Sequence, residues 1–215
     1  MTAGRKPKHP RFILASASPR RRKLLEDAGF DFTVEAAEVA ESLPERGDAA
    51  EVAIGNALAK ARAIAARHKR AVVVGADTVV SLNGRILGKP ADEEDAARIL
   101  KTLSGTRHAV ITGVAIVDAS TGRELTAAET TRGTMRKMTD GEVLEYIASG
   151  EAVGKAGAYA IQESGDRFIE RVEGSFSNVV GFPVERFSEL LEEFTGRGAA
   201  RRRRRLSPPG GRKSG

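Results

Sequence analysis

The segment Ile13-Leu14-Ala15-Ser16-Ala17-Ser18-Pro19-Arg20-Arg21-Arg22 concentrates cations where a helix should begin. Ser18 is a good N-cap, Pro19 suits the first helical position, and Leu24 and Leu25 continue the helix towards a stop at Gly29. A helix N-terminus carries partial positive charge, so acidic residues belong in its first turn rather than three arginines. A polyanionic ligand resolves the conflict, because backbone N–H groups and guanidinium forks together make a phosphate site. The competing reading is a solvated basic turn.

The acidic counterpart is Asp77, in Gly75-Ala76-Asp77-Thr78 within the otherwise apolar run 71–82. A carboxylate there needs a cation, a metal or a strand end, since burying it unpaired is costly. A site carboxylate meets that need; an acid bonded to backbone is the alternative. Gly75 permits close backbone approach. Gly88-Lys89-Pro90 sets a lysine in a stiff loop after a hairpin that would fold the chain back towards Asp77. Its point charge suits a phosphate oxygen, although lone lysines are usually solvated. Glu38 and Glu41, in the loop after the second predicted strand, would complete with Asp77 an all-oxygen set for Mg²⁺ or Mn²⁺. Two loop acids are also commonly just solvated. Three histidines and no cysteine argue against zinc.

Other residues read more weakly. Lys60 lies in an alanine-rich helix, where facing solvent is the default. His108 opens a buried-looking strand and reads as a hydrogen-bonded structural residue. Tyr159-Ala160-Ile161-Gln162 offers an aromatic ring and an amide that can donate to and accept from a nucleobase edge. Cations for phosphates, carboxylates for a divalent ion and no sulfur nucleophile are sufficient for phosphoryl-transfer chemistry, which is mostly positioning and charge stabilisation. No GxxxxGK[ST] segment is present, so a P-loop is not expected.

The elements that must position these groups follow from pattern. Strands are expected at 12–15, 30–36 and 71–82, with a loop over 37–47. Asp48 and Glu51 resemble a capping box ahead of a long helix to about Arg67. Asn83-Gly84 signals a hairpin leading to Arg85–Gly88. Pro90 and Asp92 introduce a helix ending before Gly105, and residues 108–118 and 123–136 form a second hairpin around Ser120-Thr121-Gly122. Thr139 and Glu142 cap a helix through Ile147. Residues 157–182 suggest short strands broken by glycines, with 174–183 closing the core as strand and turn, and Pro183 starts a final helix to about Phe194. Strands interleaved with helices and two hairpins imply a mixed sheet in an α/β protein.

Composition bounds the rest. The 215 residues, 40% hydrophobic and 30% charged, suit one domain with a real core. The net charge of +6 is misleading, because residues 201–215 hold seven cations and no acid. The body is close to neutral. The expected organisation is a basic arm at 1–10, one domain at 11–196 and an Arg-rich tail at 197–215. The tail's composition predicts disorder and nonspecific polyanion contact. No run approaches the ~20 apolar residues of a membrane span, and no signal-peptide core follows the basic N-terminus, so a cytoplasmic location without membrane contact is expected.

The blocks LASASPRRRKLL, VVGADTVVSLNGRILGKP, LSGTRHAVITGVAI, KAGAYAIQ and NVVGFPV, in this order and spacing, resemble the Maf family of nucleoside triphosphate pyrophosphatases. The resemblance runs from about residue 12 to 195 and excludes both basic ends. It implies a two-lobed α/β fold, a mixed β-sheet flanked by helices, related to the inosine triphosphate pyrophosphatases. It implies cleavage between the α and β phosphates with a divalent cation, releasing monophosphate and pyrophosphate. By the same resemblance Asp77 is the proton acceptor, Ser16, Arg20 and Arg21 contact phosphate, and Lys60, Lys89, Glu38 and Glu41 complete the site. Arg20, Thr78 and Gln162 match the branch hydrolysing dTTP and UTP, with modified pyrimidine nucleotides as possible targets, rather than the one preferring 7-methyl-GTP. A homodimer is implied as well. Members have also been linked to restraint of septum formation, so the alternative is a division-regulating or nucleic-acid-binding protein acting through its basic tail.

Overall fold

The β-branched run Val72-Val73-Val74 begins the strand on which the molecule is organised. In a computed structural model, which describes residues 10–196, that strand is β3 (Val72–Leu82), buried along most of its length. One edge pairs antiparallel along β5 (Arg107–Asp118), which pairs with β6 (Glu124–Met135) and through it with β7 (Ile169–Glu173). The other edge is shared. β1 (Phe12–Ala15) runs parallel to its first half, ending with Ala15 opposite Gly75. β4 (Arg85–Leu87) folds back antiparallel on its last residues, starting with Leu87 opposite Val80. β2 (Phe32–Val34) adds parallel to β1. The result is a seven-stranded mixed sheet in the order β2-β1-β3-β5-β6-β7, with β4 on β3.

Between Gly75 and Val80, β3 has no strand partner on that edge. This fork divides the sheet, and Asp77 and Thr78 stand in it. In open α/β sheets ligands bind in the crevice beyond the carboxyl ends of the strands, where neighbouring connections diverge. The chain leaving β1 turns here into α1 (Pro19–Asp27).

Small residues set the depth of packing. Helix α2 (Ala49–Ala65) lays Ala53, Ala57 and Ala61, all fully buried, onto β3 and β5. A Cβ on Gly75 would lie 2.0 Å from the Ala57 carbonyl oxygen, and one on Gly113 would lie 2.3 Å from the Ala53 carbonyl carbon. Only glycine lets the helix backbone approach this closely. The expected role of Gly75 is thus met.

Two apolar clusters flank the fork. One gathers the β4 end with α3 (Glu93–Leu103) and α4 (Asp140–Ala148) around Tyr146 and Phe168. The other gathers β1 and α6 (Val184–Phe194) around Phe12, Phe182 and Phe187. The expected two-lobed mixed sheet flanked by helices is what the chain forms. The Asn83-Gly84 hairpin is present, with φ of 51° and 77° at the two turn residues.

Some expected elements differ. The second strand is only Phe32–Val34, because it is an edge strand with a single partner, β1. Residues 157–182 are not a series of short strands. They form 3-10 turns at Ala156–Ala158 and Ser164–Phe168, then β7, then a helix α5 (Phe176–Val180) where strand and turn were expected. Ser175 overrides the local pattern by capping α5, its hydroxyl accepting from Asn178 N. Residues 1–9 and the Arg-rich tail at 197–215 lie outside the described residues. Among the described residues, no helix is long and apolar enough to cross a membrane.

Candidate active site

Asp77 is 3% exposed, and both its carboxylate oxygens are engaged. Lys60 Nζ donates to Oδ1 at 2.6 Å and Asn56 Nδ2 to Oδ2 at 2.9 Å. Asn56 and Lys60 are four residues apart on α2, so they project from one face onto β3. The residue reading that left Lys60 in solvent is corrected: it is 7% exposed, because Gly75 and the alanine face draw the helix onto the sheet. Lys60 also donates to Glu41 Oε1 at 2.7 Å, and Lys89 Nζ reaches both Glu41 oxygens at 2.9 and 3.0 Å. Lys89 therefore joins Asp77 through Glu41 and Lys60. Burial raises the Glu41 carboxyl, but hydrogen bonds and charge from Lys60 and Lys89 outweigh it and hold the group down at about 2. Glu41 is an anion at neutral pH.

The adjacent arginines differ. Arg20 is half-buried and faces the cleft without a hydrogen bond or ion pair among the described residues. Arg21 turns inward. Its Nε donates to Gly181 O at 2.9 Å, Nη1 to Ala76 O at 2.9 Å and Ser16 Oγ at 3.2 Å, and Nη2 to Thr78 Oγ1 at 3.1 Å. Thr78 in turn meets Thr112 Oγ1 at 2.9 Å. Burial pulls the Arg21 guanidinium down from its usual value, partly countered by the charges of Asp77 and Glu41. The expected N-cap is present, with the Ser18 hydroxyl accepting from Arg21 N at 3.4 Å.

Of these groups Ser16, Arg20, Arg21, Glu41, Lys60, Thr78 and Lys89 line a cleft of about 540 Å³, whereas Asp77 and Asn56 are outside that lining and Asp77 meets it through Lys60. Ser16, Arg20 and Arg21 stand on one side, Glu41, Lys60 and Lys89 on another. Lys155, Tyr159, Ile161 and Gln162 line it as well. Gln162 is exposed, its amide unpaired among the described residues. Tyr159 is corrected as a base reader: it is 7% exposed and its hydroxyl meets His108 Nε2 at 2.8 Å. His108 is structural, as expected, and burial lowers its imidazole to about 4. Glu38 is exposed, with no hydrogen bond or ion pair among the described residues, and stands apart from the cleft lining.

A family model described as Maf-like protein matches residues 11–194. The chain belongs to the Maf family. It is 47% identical over 182 residues to the dTTP/UTP pyrophosphatase of Pelotomaculum thermopropionicum, covering 85% of this chain and 95% of that protein. It is 46% identical to the protein of the same name from Bdellovibrio bacteriovorus, covering 86% and 99% of the two chains. For the one from Deinococcus radiodurans the identity is 48%, covering 85% and 92%.

The divalent cation that the Maf resemblance implies can be tested against the donors present. Asp77 and Glu41 are oxygen donors meeting at one ammonium beside a cationic cleft, and Mg²⁺ typically needs only one or two carboxylates together with substrate phosphates. They fit. The expected three-carboxylate set is not assembled, however: among the described residues no group of three His, Cys, Asp or Glu side chains is arranged around a metal. Glu41 is drawn into the cleft lining by Lys60 and Lys89, whereas Glu38, three residues earlier in the same loop, is exposed and outside it.

Two features of this Maf cleft escaped sequence reasoning. Asn56 is 4% exposed, and besides Asp77 it holds the Glu41 loop, donating to Ser42 O at 2.9 Å and accepting from Ser42 N at 2.8 Å. Its signal was the polar pair Asn56 and Lys60 at i, i+4 on an alanine face. Lys155 is 6% exposed and ion-paired with Glu163. Nothing local marks it as buried.

Proposed function

We propose that this protein hydrolyses dTTP and UTP, and modified pyrimidine nucleoside triphosphates with them, to the nucleoside monophosphate and pyrophosphate, clearing them from the nucleotide pool. The observation that carries the reading is the buried carboxylate of Asp77 at the fork of β3, held by Asn56 and by Lys60, which itself lines a cleft rich in cations. The names of the relatives support the substrate class.

In this mechanism the triphosphate lies along Ser16, Arg20 and Lys89, with Gln162 against the pyrimidine edge. An ionised carboxylate has about four lone-pair sites, so Asp77 can accept a water proton while holding its two donors. The water oxygen attacks the α-phosphorus, the bond from that phosphorus to the bridging oxygen breaks, and pyrophosphate leaves. The proton passes to Asp77 and then to solvent. Arg20, Lys60 and Lys89 offset the charge that develops on the leaving group. Arg21 and Thr78 keep Ser16, Ala76 and the turn at Gly181 in register rather than gripping phosphate. Mg²⁺ or Mn²⁺, held by Asp77 and Glu41 with phosphate oxygens, would supply charge neutralisation of the triphosphate when bound.

A cytoplasmic homodimer is proposed from the family resemblance; light scattering tests the dimer. The function itself is tested with a panel of nucleoside triphosphates and both metals. Monophosphate plus pyrophosphate, fastest from dTTP and UTP, is the expected result. Diphosphate plus orthophosphate, or no product from any pyrimidine triphosphate, would overturn it.

A further inference from the structure

The segment that carries Gln162 has little regular structure to hold it. It lies between the two 3-10 turns, with positive φ at both Gly157 (74°) and Ala158 (58°) in the first. Its start is tied down: Gly157 N donates to Gly88 O at 3.0 Å, beside Lys89, and Ala160 N donates to Tyr146 Oη at 3.1 Å. Its end is tied where Ser164 N donates to Glu151 Oε2 at 3.0 Å. Across residues 161–163, the one side-chain tie among the described residues is the ion pair of Glu163 with Lys155.

That pair joins two unlike partners. The Lys155 side chain is 8% exposed and lines the cleft, and no step of the proposed hydrolysis uses it; the Glu163 side chain is 40% exposed. Exposed ion pairs contribute little, but an ammonium this buried is strongly disfavoured without its anion. Lys155 therefore fixes Glu163, and with it the backbone of the preceding residue, Gln162. A base-reading amide discriminates only if its donor and acceptor are held in place, since a displacement of about 1 Å can cost ~100-fold.

We propose that the Lys155–Glu163 ion pair is a specificity-determining latch, which sets the Gln162 amide against the nucleobase and so selects pyrimidine over purine triphosphates. The inference rests on the reading of Gln162 given above. Lys155 and Glu163 are positioning residues here; neither touches the reacting atoms.

The test compares kcat/KM for dTTP and for GTP in the full-length protein and in Glu163→Gln, Lys155→Met and the double variant. Glu163→Gln leaves the buried Lys155 ammonium without its anion, so it should melt below the wild type; assayed well below that melt, its dTTP-over-GTP ratio should fall at least tenfold. Lys155→Met should lower the ratio similarly, and the double variant no further, because residues acting as one pair are non-additive. Restoration of most of the ratio by Glu163→Asp is also expected. An unchanged ratio in a normally folded Glu163→Gln, or equal losses for both nucleotides, would overturn the latch. Additive losses in the double variant would overturn it too. If the wild type itself fails to hydrolyse dTTP, the functional reading fails instead, a result separate from any change in the variants.

Discussion

The two sides of the cleft are built on different principles. On the β3 side, α2 lies on glycine-bearing strands, and Asp77, Arg21 and Thr78 have their polar atoms engaged. On the side formed by residues 155–164, the chain runs through 3-10 turns, one salt bridge spans the segment, and Gln162 is left unpaired among the described residues. The first side has the rigidity that positioning a water requires. The second has an unengaged amide, as reading a ligand requires. The contrast teaches that chemistry and selectivity are held by separate parts of one cleft, so they should break separately.

The largest effect should come from the rigid side. Asp77→Asn keeps the shape but cannot accept the proton, and pyrophosphate release from dTTP should fall about 10³-fold when assayed well below the melt, which itself should drop because the new NH₂ must face Lys60 or Asn56. Near-normal turnover would remove the contrast altogether. Arg21→Lys comes next. A lysine cannot serve four acceptors spread from Ser16 to Gly181, so kcat should fall about 100-fold with a much smaller change in KM. A rise in KM alone would make Arg21 a phosphate ligand instead.

Stability sharpens the comparison further. Gly75→Ala sets a methyl into the Ala57 carbonyl and should cost about 3 kcal/mol, lowering the melting temperature by about 6–12 °C. His108, whose ring meets the cleft residue Tyr159, gives a pH dependence. Unfolded, its imidazole takes a proton near pH 6.5; folded, burial delays protonation to about 4. Between these values the unfolded chain binds more protons, so stability is lost as pH falls from 6.5 to 4, by about 3 kcal/mol. Denaturant melts of His108→Gln should show a flatter slope over that window. The smallest effect should be Gln162→Glu, with the dTTP-over-GTP preference changed by about tenfold and the melt unmoved.

What was legible in the sequence was what local chemistry determines. Ser18 and Pro19 announce α1, Asn83-Gly84 announces the hairpin, and an acid in a β-branched run marks Asp77 as anomalous before its partners are known. Gly75 signalled a close approach, but not what approaches. The burial of Lys60 needed α2 to meet β3, and its pairing with Glu41 needed a loop 19 residues upstream. Arg20 and Arg21 look alike as letters, and only the turn at Gly181, 160 residues away, separates their roles. Helix α5 was lost because a single cap outweighed a strand-like run. Glu38 looks equivalent to Glu41 in the sequence, and only the partners Lys60 and Lys89, 19 and 48 residues away, set Glu41 apart.

The measurement closest to the central claim is hydrolysis of dTTP in water labelled with ¹⁸O. Delivery of water from Asp77 to the α-phosphorus predicts one labelled oxygen in dTMP and none in pyrophosphate. Label recovered in pyrophosphate would contradict it, since the attack would then have fallen on the β-phosphorus.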